Sequence, residues 1–362
     1  MASAAAAKSF GSKMLVLSEK DVRKVLTMAD CLKINKEAYM SITSASSRVG
    51  GKGHVPTRLS LPGPPKAGVA VEGAADCTLF KPAAFYADQS TPNKESLMGM
   101  KIISLRADNP KGGFPLAPAT VAVLDADTGI VQAIVSSTYL TGARTAAGSG
   151  LATQLARPDL EHLVVFGAGL QAETHIDAIH TAIDREIPKI TIINRTLERA
   201  NQLKERLTCC ISCEVVLLDD KAAVEKAVYS ADVIAATTNT ATPIFDCKLK
   251  PGCHINGIGS YTPDMQEIPE SVVNRSVLLI DTPEAKSVGD LKHLGADKGD
   301  SDHPITLLGE ALEGANWKEK ASSSFDCTFY KGVGTSIQDI MTADLVVKRA
   351  RELGIGTQVD MA

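Results

Sequence analysis

From residue 144 onward, short apolar runs rich in β-branched residues alternate with stretches of helical spacing, and no other feature limits the fold so strongly. The runs are "HLVVFGAG" (162–169), "KITIINRT" (189–196), "EVVLLDD" (214–220), "ADVIAATT" (231–238), "HINGIG" (254–259) and "VLLIDT" (277–282). Most are separated by helical stretches such as "TLERANQLKERL". Strands that alternate with helices must pair in parallel, which predicts a doubly wound α/β sheet. The runs end in Gly, Asn, Asp or Thr, as expected where a ligand lies across the carboxyl edge of such a sheet.

The first run leads into a dinucleotide fingerprint in which Gly167, Gly169 and Ala172 fill G-x-G-x-x-G/A. The first glycine permits a tight turn and the second lets a pyrophosphate approach the backbone. Ala172 permits close helix–strand packing, and the helix N-terminus supplies N–H groups and positive dipole. Gly167, Ala168, Gly169, Leu170, Gln171 and Ala172 are therefore expected at the cofactor. The second run decides which cofactor. An NAD-binding unit usually ends this strand in Asp or Glu, which holds the ribose 2′-OH. Here it ends in Asn194, Arg195 and Thr196, so a 2′-phosphate meets a guanidinium instead of a repelling carboxylate. NADPH is the expected cofactor, with NADH the alternative. Thr237 and Thr238, ending the fourth run, are expected to border it.

The segment before the fingerprint reads differently. "MLVL" is a short strand, and Ser18 with Asp21 would cap the helix that follows. Residues 49–68, rich in Gly and Pro, read as a loop or edge strand. "LMGMKIISL" is a strand, and "DTG" (127–129) separates two alternating apolar runs as in a β-hairpin. These predict a mostly antiparallel sheet with flanking helices. The last stretch, "TSIQDIMTADLVVKRARELG", is an amphipathic helix expected to pack back on that sheet. The reading is thus a disordered tail at 1–12, a substrate-binding and dimerisation domain of α+β type at 13–143 plus 335–362, and a Rossmann-type domain at 144–334.

Composition excludes several function classes. Of 362 residues, 44% are hydrophobic and 22% charged, the balance of a globular protein with water-facing surface. A net charge of −4 without basic blocks offers no field for nucleic acid or an anionic membrane. No apolar run approaches the roughly 20 residues of a spanning helix. "MASAAAAKSFGSK" lacks the apolar core of a secretory signal, so a cytoplasmic protein is expected. "CCISC" (Cys209, Cys210, Cys213) has no second pair or histidine at ligand spacing. It reads as reduced thiols beside a buried strand, and no metal is expected.

Four residues before the fingerprint could carry chemistry: Arg58 in "VPTRLSLP", Lys101 in "MGMKIISL", Thr120 in "APATVAVL" and Arg144 in "LTGARTAA". Lys101 interrupts an apolar strand and Arg144 sits among small residues. Charges in such contexts need partners, and a buried lysine tends to a lowered pKa suited to proton transfer.

The chain resembles the ornithine cyclodeaminase/mu-crystallin family along nearly its whole length. The resemblance is carried by "VPTR", "MGMKIISL", "PATVAVLDADTG", "LTGARTAAGSGLAT", "VVFGAGLQAETH", "INRTLERA", "SADVIAATTNTATPIF", "KPGCHINGIGSYTPDMQEI" and "VGDL". It implies a homodimer built on the antiparallel sheet domain, with the active site between the two domains. It also implies a substrate carboxylate held by Arg58 and Arg144 with help from Lys101, and a polar contact from Thr120. "INRT" is similar to the NADPH-using mu-crystallin branch.

Two departures matter. Cyclodeaminases of the family carry an Asp just after the "INGIG" glycines, where this chain has Tyr261. Without that carboxylate, deamination of ornithine loses its group for the amine and water, whereas reduction of a preformed imine needs only hydride, a proton source and a carboxylate grip. Lys81, in "TLFKPAAF", stands where relatives often have Met and is expected near the substrate mouth. The expected activity is NADPH-dependent reduction of cyclic 2-carboxy imines to pipecolate or proline. The alternatives are ornithine or lysine cyclodeaminase, an alanine dehydrogenase-like enzyme, or a small-ligand-binding protein.

Overall fold

The computed structural model describes residues 13–64, 76–207, 210–294, 303–320 and 325–361. The tail expected at 1–12 and Cys209 lie outside them. In the N-terminal half, β1 (Lys13–Leu17) leads into α1 (Glu19–Val25) and α2 (Met28–Ser41). The Ser18 hydroxyl accepts the Asp21 N–H while the Asp21 carboxylate accepts the Ser18 N–H, so the reciprocal cap forms with Asp in place of Glu. Then come β2 (Gly51–His54), β3 (Leu59–Pro62), β4 (Cys77–Ala87), β5 (Leu97–Leu105), β6 (Ala119–Asp125) and β7 (Val131–Ser136). β6 and β7 form the antiparallel hairpin that "DTG" predicts.

α3 (Thr138–Ala156) joins the halves. It runs unbroken across residue 144, so the change of sequence pattern there falls inside a helix. The helix is buried nearly all round, and its small residues are the reason it fits. At Gly150, for example, a Cβ would lie 2.6 Å from the Ala178 carbonyl oxygen on the next helix.

The second half contains β8 (His162–Phe166), α4 (Leu170–Ile183), β9 (Ile187–Asn194), α5 (Leu197–Arg206), β10 (Cys210–Leu217), α6 (Lys221–Ser230), β11 (Val233–Ala236) and β12 (His254–Gly257). α7 (Glu270–Val273), β13 (Ser276–Ile280), β14 (Ile305–Leu307), α8 (Leu308–Leu312) and β15 (Cys327–Lys331) follow, and the chain closes with α9 (Ser336–Glu352) and β16 (Thr357–Asp360). The strand order is β10-β9-β8-β11-β12-β15-β13-β14, with every pairing parallel. Residues of β8 feed two cores in turn, Leu163 and Val165 on one face and Val164 and Phe166 on the other. α4 and α5 cover the first face and α6 the second, the Rossmann-type double winding. β14 and β15 were not expected; β14 has three residues and β15 is bounded by polar groups, so neither carries an apolar run long enough to read.

The first sheet has the order β16-β1-β7-β6-β5-β4-β2, with β3 also on β4. All its pairings are antiparallel except β1 with β7. Its inner face (Leu15, Leu17, Phe85, Val121, Val123, Ala133, Val135) packs in one core with α1, α2, α3 and α9. The C-terminal helix therefore does return to the first sheet. Cys213 packs partly buried against the core beside β9, and no cluster of three or more metal-ligating side chains exists among the described residues. No described helix is long and apolar enough to cross a membrane.

Candidate active site

Antiparallel pairing decides which charged residues meet. Lys81 on β4 lies directly opposite Lys101 on β5, and directly opposed residues share a face. Both side chains point inward, with 6% and 0% exposure. α9 packs across this face and brings Asp339, itself fully buried, to the pair. α3 brings Arg144. One carboxylate oxygen, Asp339 Oδ1, accepts both Lys101 Nζ at 2.9 Å and Arg144 Nε at 2.7 Å. Asp339 Oδ2 has no hydrogen-bond partner among the described residues. Arg144 Nη1 donates to Gln338 Oε1 at 3.3 Å, and Gln338 Nε2 in turn donates to the Arg144 carbonyl, Asn35 and Tyr39. The guanidinium is thereby held in one orientation. Gly334, at φ 78°, lies against it, and a Cβ there would collide with the guanidinium.

The electrostatics follow from this packing. Burial pushes the Lys101 pKa well down; Asp339 opposes the shift, while Arg144 and Lys81 add to it. Burial likewise takes Lys81 down to about 8, against the pull of Asp339 and Asp281. For Asp339 burial acts upward, but Arg144, Lys101 and Lys81 outweigh it and hold the carboxylate below its ordinary value.

Lys81, Lys101 and Arg144 line a cavity of about 230 Å³ between the two sheets, with Asp339 behind them. Its wall includes Arg58, Lys81, Lys101 and Arg144 from the first half, and Gln171, Thr237, Thr238 and Tyr261 from the second. A second cavity of about 440 Å³ runs along the carboxyl edge of the parallel sheet, past Gly167, Ala168, Gly169, Asn194 and Arg195. Thr237, Thr238 and Asn239 belong to both walls, so the cavities adjoin there.

The second cavity fits a dinucleotide. Gly167 takes φ 111°, and a Cβ would sit 2.8 Å from Thr237 Oγ1, so the tight turn requires glycine. Above Gly169 nothing lies within 4 Å, and this residue starts α4 without a side-chain cap, leaving the first N–H groups of the helix for an anion. Arg195 is joined by Arg199 and Lys221, two cations the sequence reading missed, and among the described residues no carboxylate lines this wall.

The expected residues do not all converge. Ala172 is fully buried beneath the turn. Gln171 faces the first cavity, not the second, and Leu170 packs toward Gly142 on α3. Thr196 is exposed at the start of α5, where its carbonyl accepts Asn194 Nδ2 at 2.8 Å, and its side chain is not in the wall. Thr120 is the clearest correction. It pairs with Ile102, one residue out of phase with Lys101, and therefore lies on the opposite, outer face of the sheet.

Behind the shared wall lies a second buried polar cluster. Glu267 accepts the Thr238 N–H at 2.7 Å, the Thr238 hydroxyl at 2.5 Å and the Gly259 N–H at 2.5 Å. Burial outweighs these bonds and raises its pKa to about 7. Asp290 Oδ1 accepts the N–H groups of Glu267 and Ile268, and Oδ2 accepts Ser260 Oγ and Lys331 Nζ. Asp339, Glu267, Asp290 and Lys331 were not singled out from sequence. The criterion that picked Lys101, a charge among apolar neighbours, would have found Asp339 between Ile337 and Ile340.

A parallel sheet with a glycine turn at its carboxyl edge, opening onto a cation-lined cavity, defines a Rossmann-type dinucleotide-binding protein. The chain belongs to the ornithine cyclodeaminase/mu-crystallin family, whose model matches residues 87–354. It is 32% identical over 270 residues to a Δ1-pyrroline-2-carboxylate reductase of Bacillus cereus, covering 73% of this chain and 80% of that protein. It is 30% identical over 256 residues to the ketimine reductase mu-crystallin of Mus musculus, covering 70% and 76%. Among solved structures, the Thermococcus litoralis Δ1-pyrroline-2-carboxylate reductase in complex with NADH and L-proline superposes with TM-score 0.77 at 26% identity, covering 96% of this chain and 100% of that one.

Proposed function

We propose that this chain is an oxidoreductase acting on C=N bonds, reducing cyclic 2-carboxy imines such as Δ1-piperideine-2-carboxylate or Δ1-pyrroline-2-carboxylate with NADPH. The observation that carries the reading is the junction of the two cavities at Thr237–Asn239, which sets a dinucleotide site beside a cluster of buried cations. A reduced nicotinamide dinucleotide, when bound, supplies the hydride. Arg58 and Arg144 hold the substrate carboxylate, and the rigid mounting of Arg144 on Gln338 and Asp339 fixes where the imine carbon sits. Lys101 is the proton source for the imine nitrogen. Its depressed pKa makes it a readier acid than an exposed lysine, and Asp339 keeps it charged until the nitrogen gains electron density. Tyr261 closes the cavity where cyclodeaminases have Asp. Among the described residues no Asp or Glu lines the wall to activate water, which favours reduction over deamination.

The relatives named as Δ1-pyrroline-2-carboxylate and ketimine reductases support the reaction class. Arg195, Arg199 and Lys221 support NADPH over NADH. The outer face of the first sheet exposes Ile102 beside Thr120 and, further along β4, Tyr86; these exposed apolar side chains support a homodimer formed there.

The test follows NADPH absorbance with both imines, and in parallel ammonia release from ornithine with NAD. NADPH loss without ammonia is expected. Ammonia without NADPH loss refutes the proposal in favour of cyclodeamination, and silence in both assays refutes it in favour of a ligand-binding role. For the cofactor, Arg195→Ala is expected to raise the KM for NADPH by roughly tenfold or more, the worth of one charge-assisted contact, while leaving the KM for NADH within about twofold.

A further inference from the structure

Glu267 has no part in the reaction described above. It is fully buried and lines neither cavity, yet its carboxylate is committed to the wall where the two cavities meet. β11 and β12 pair as far as Ala236 and Gly257, and the Ile258 N–H still reaches the Ala236 carbonyl at 3.1 Å. Beyond that point the Glu267 carboxylate takes over from the ladder. Oε1 accepts the Thr238 N–H at 2.7 Å and the Thr238 hydroxyl at 2.5 Å, while Oε2 accepts the Gly259 N–H at 2.5 Å. The two backbones run so close there that a Cβ on Gly259 would fall 1.6 Å from the Thr238 carbonyl oxygen. The same segment braces more of the cofactor wall. The Gln266 N–H donates to the Thr240 carbonyl at 3.1 Å, and the Ile244 N–H donates to the Glu267 carbonyl at 2.8 Å. Thr240 and Ile244 both line the second cavity. Asp290 Oδ1, accepting the N–H groups of Glu267 and Ile268, holds the segment itself in place.

Burying a carboxylate is costly, and here the group does what an amide cannot. Both of its oxygens accept backbone N–H groups, and an N–H cannot be turned into an acceptor. A glutamine would set its own NH2 against one of the two. Thr238 belongs to both cavity walls and Gly259 to the first, so the carboxylate ties together the strand ends that bound the junction. Resting on the reductase reading above, we infer that Glu267 is a positioning residue. Through Thr238 and Gly259 it fixes the wall against which the nicotinamide end of the dinucleotide lies, and so the aim of the hydride at the imine carbon. By the same reading the opposite end of the dinucleotide rests on the glycine turn and Arg195, which Glu267 does not touch.

The experiment compares the wild type with Glu267→Gln and Thr238→Val, urea unfolding first establishing that each variant is folded. Glu267→Gln is expected to keep its Kd for NADPH within about threefold of the wild type, because the far end of the cofactor is held as before. Its kcat for imine reduction should fall by about tenfold to a hundredfold, the effect of a reacting group displaced by about 1 Å. The primary isotope effect on kcat, with NADPH deuterated at the transferred position, should rise as hydride transfer becomes the slow step. The fluorescence lifetime of the nicotinamide in bound NADPH, read without substrate, should shorten as the ring gains freedom. Thr238→Val keeps both backbone N–H bonds and loses only the hydroxyl, so it should move each quantity the same way by less. A folded Glu267→Gln enzyme whose kcat, isotope effect and lifetime all match the wild type overturns the inference, even if its stability is lower. If Glu267→Gln does not fold, wild-type values of all three in Thr238→Val overturn it instead. A wild type that reduces neither imine sinks the reductase reading, and the lifetime then decides the positioning role by itself.

Discussion

Lys101–Asp339 and Lys331–Asp290 are both lysine–aspartate pairs with all four side chains at 0% exposure, yet they are built to different degrees of completion. Asp290 receives four donors, two from backbone N–H groups, one from Ser260 and one from Lys331. Every acceptor position that matters is filled, and the pair ties the 257–268 segment to β15. Asp339 spends one oxygen on two cations and leaves the other bare. A buried, fully bonded carboxylate is a structural clamp, whereas a half-bonded one that holds two cavity-lining cations keeps capacity for a proton. The contrast separates the two pairs more sharply than burial or charge, since both are equally buried and equally charged, and it supports the proposal that the reaction lies at the Lys101 pair.

The strongest way to break this contrast is to neutralise each aspartate in turn. Asp339→Asn leaves Lys101 and Arg144 without their common anion, and kcat/KM should fall by about 10²–10⁴-fold, the range for loss of a working acid. Asp290→Asn should lower stability by about 3–5 kcal/mol, the cost of leaving a buried charge unpaired, read by urea unfolding. In the fraction that remains folded, kcat/KM should drop by less than about tenfold. Equal kinetic damage from the two substitutions would erase the distinction.

A smaller effect lies in the pH dependence of stability. Lys81 titrates near 8 in the folded chain against an ordinary 10.5. Between those values the unfolded chain binds more protons, so stability rises with pH across the window and is lost as pH falls through about 8. Lys81→Met should remove this rise and be the more stable form at neutral pH, as unfolding at two pH values would report. Glu267 runs the other way: its folded pKa of about 7 exceeds the ordinary 4.5, so its contribution is complete below the lower value and is lost as pH rises through the higher.

Much of this was legible in the residues. The fingerprint, five of the strands that follow it and the hairpin at 127–129 are local patterns, and each has its counterpart in the fold. Lys101 and Arg144 stood out because charges in apolar or small-residue surroundings demand partners. What stayed hidden is pairing. Thr120 was expected to contact the substrate until the register set it opposite Ile102, on the outer face. Lys81 was expected near the substrate mouth, but only the same ladder shows that it stands opposite Lys101. Asp339 is separated from Lys101 by 238 positions, and its helix read correctly as packing on the first sheet without disclosing which side chain it delivers.

The pairing of β1 with β16, Lys13 against Asp360 at its start, has a consequence for biosynthesis. The parallel sheet draws all its strands from residues before 332, whereas the first sheet is closed by its first and last strands together. A ribosome therefore releases a nearly complete nucleotide-binding half while β1 still lacks its outer neighbour and the lysine pair still lacks Asp339. Chain segments with such late partners expose apolar surface during synthesis. The cation cluster thus receives its carboxylate last, and a chain stopped before α9 would carry a dinucleotide cradle beside Lys101 and Arg144 with no Asp339 between them.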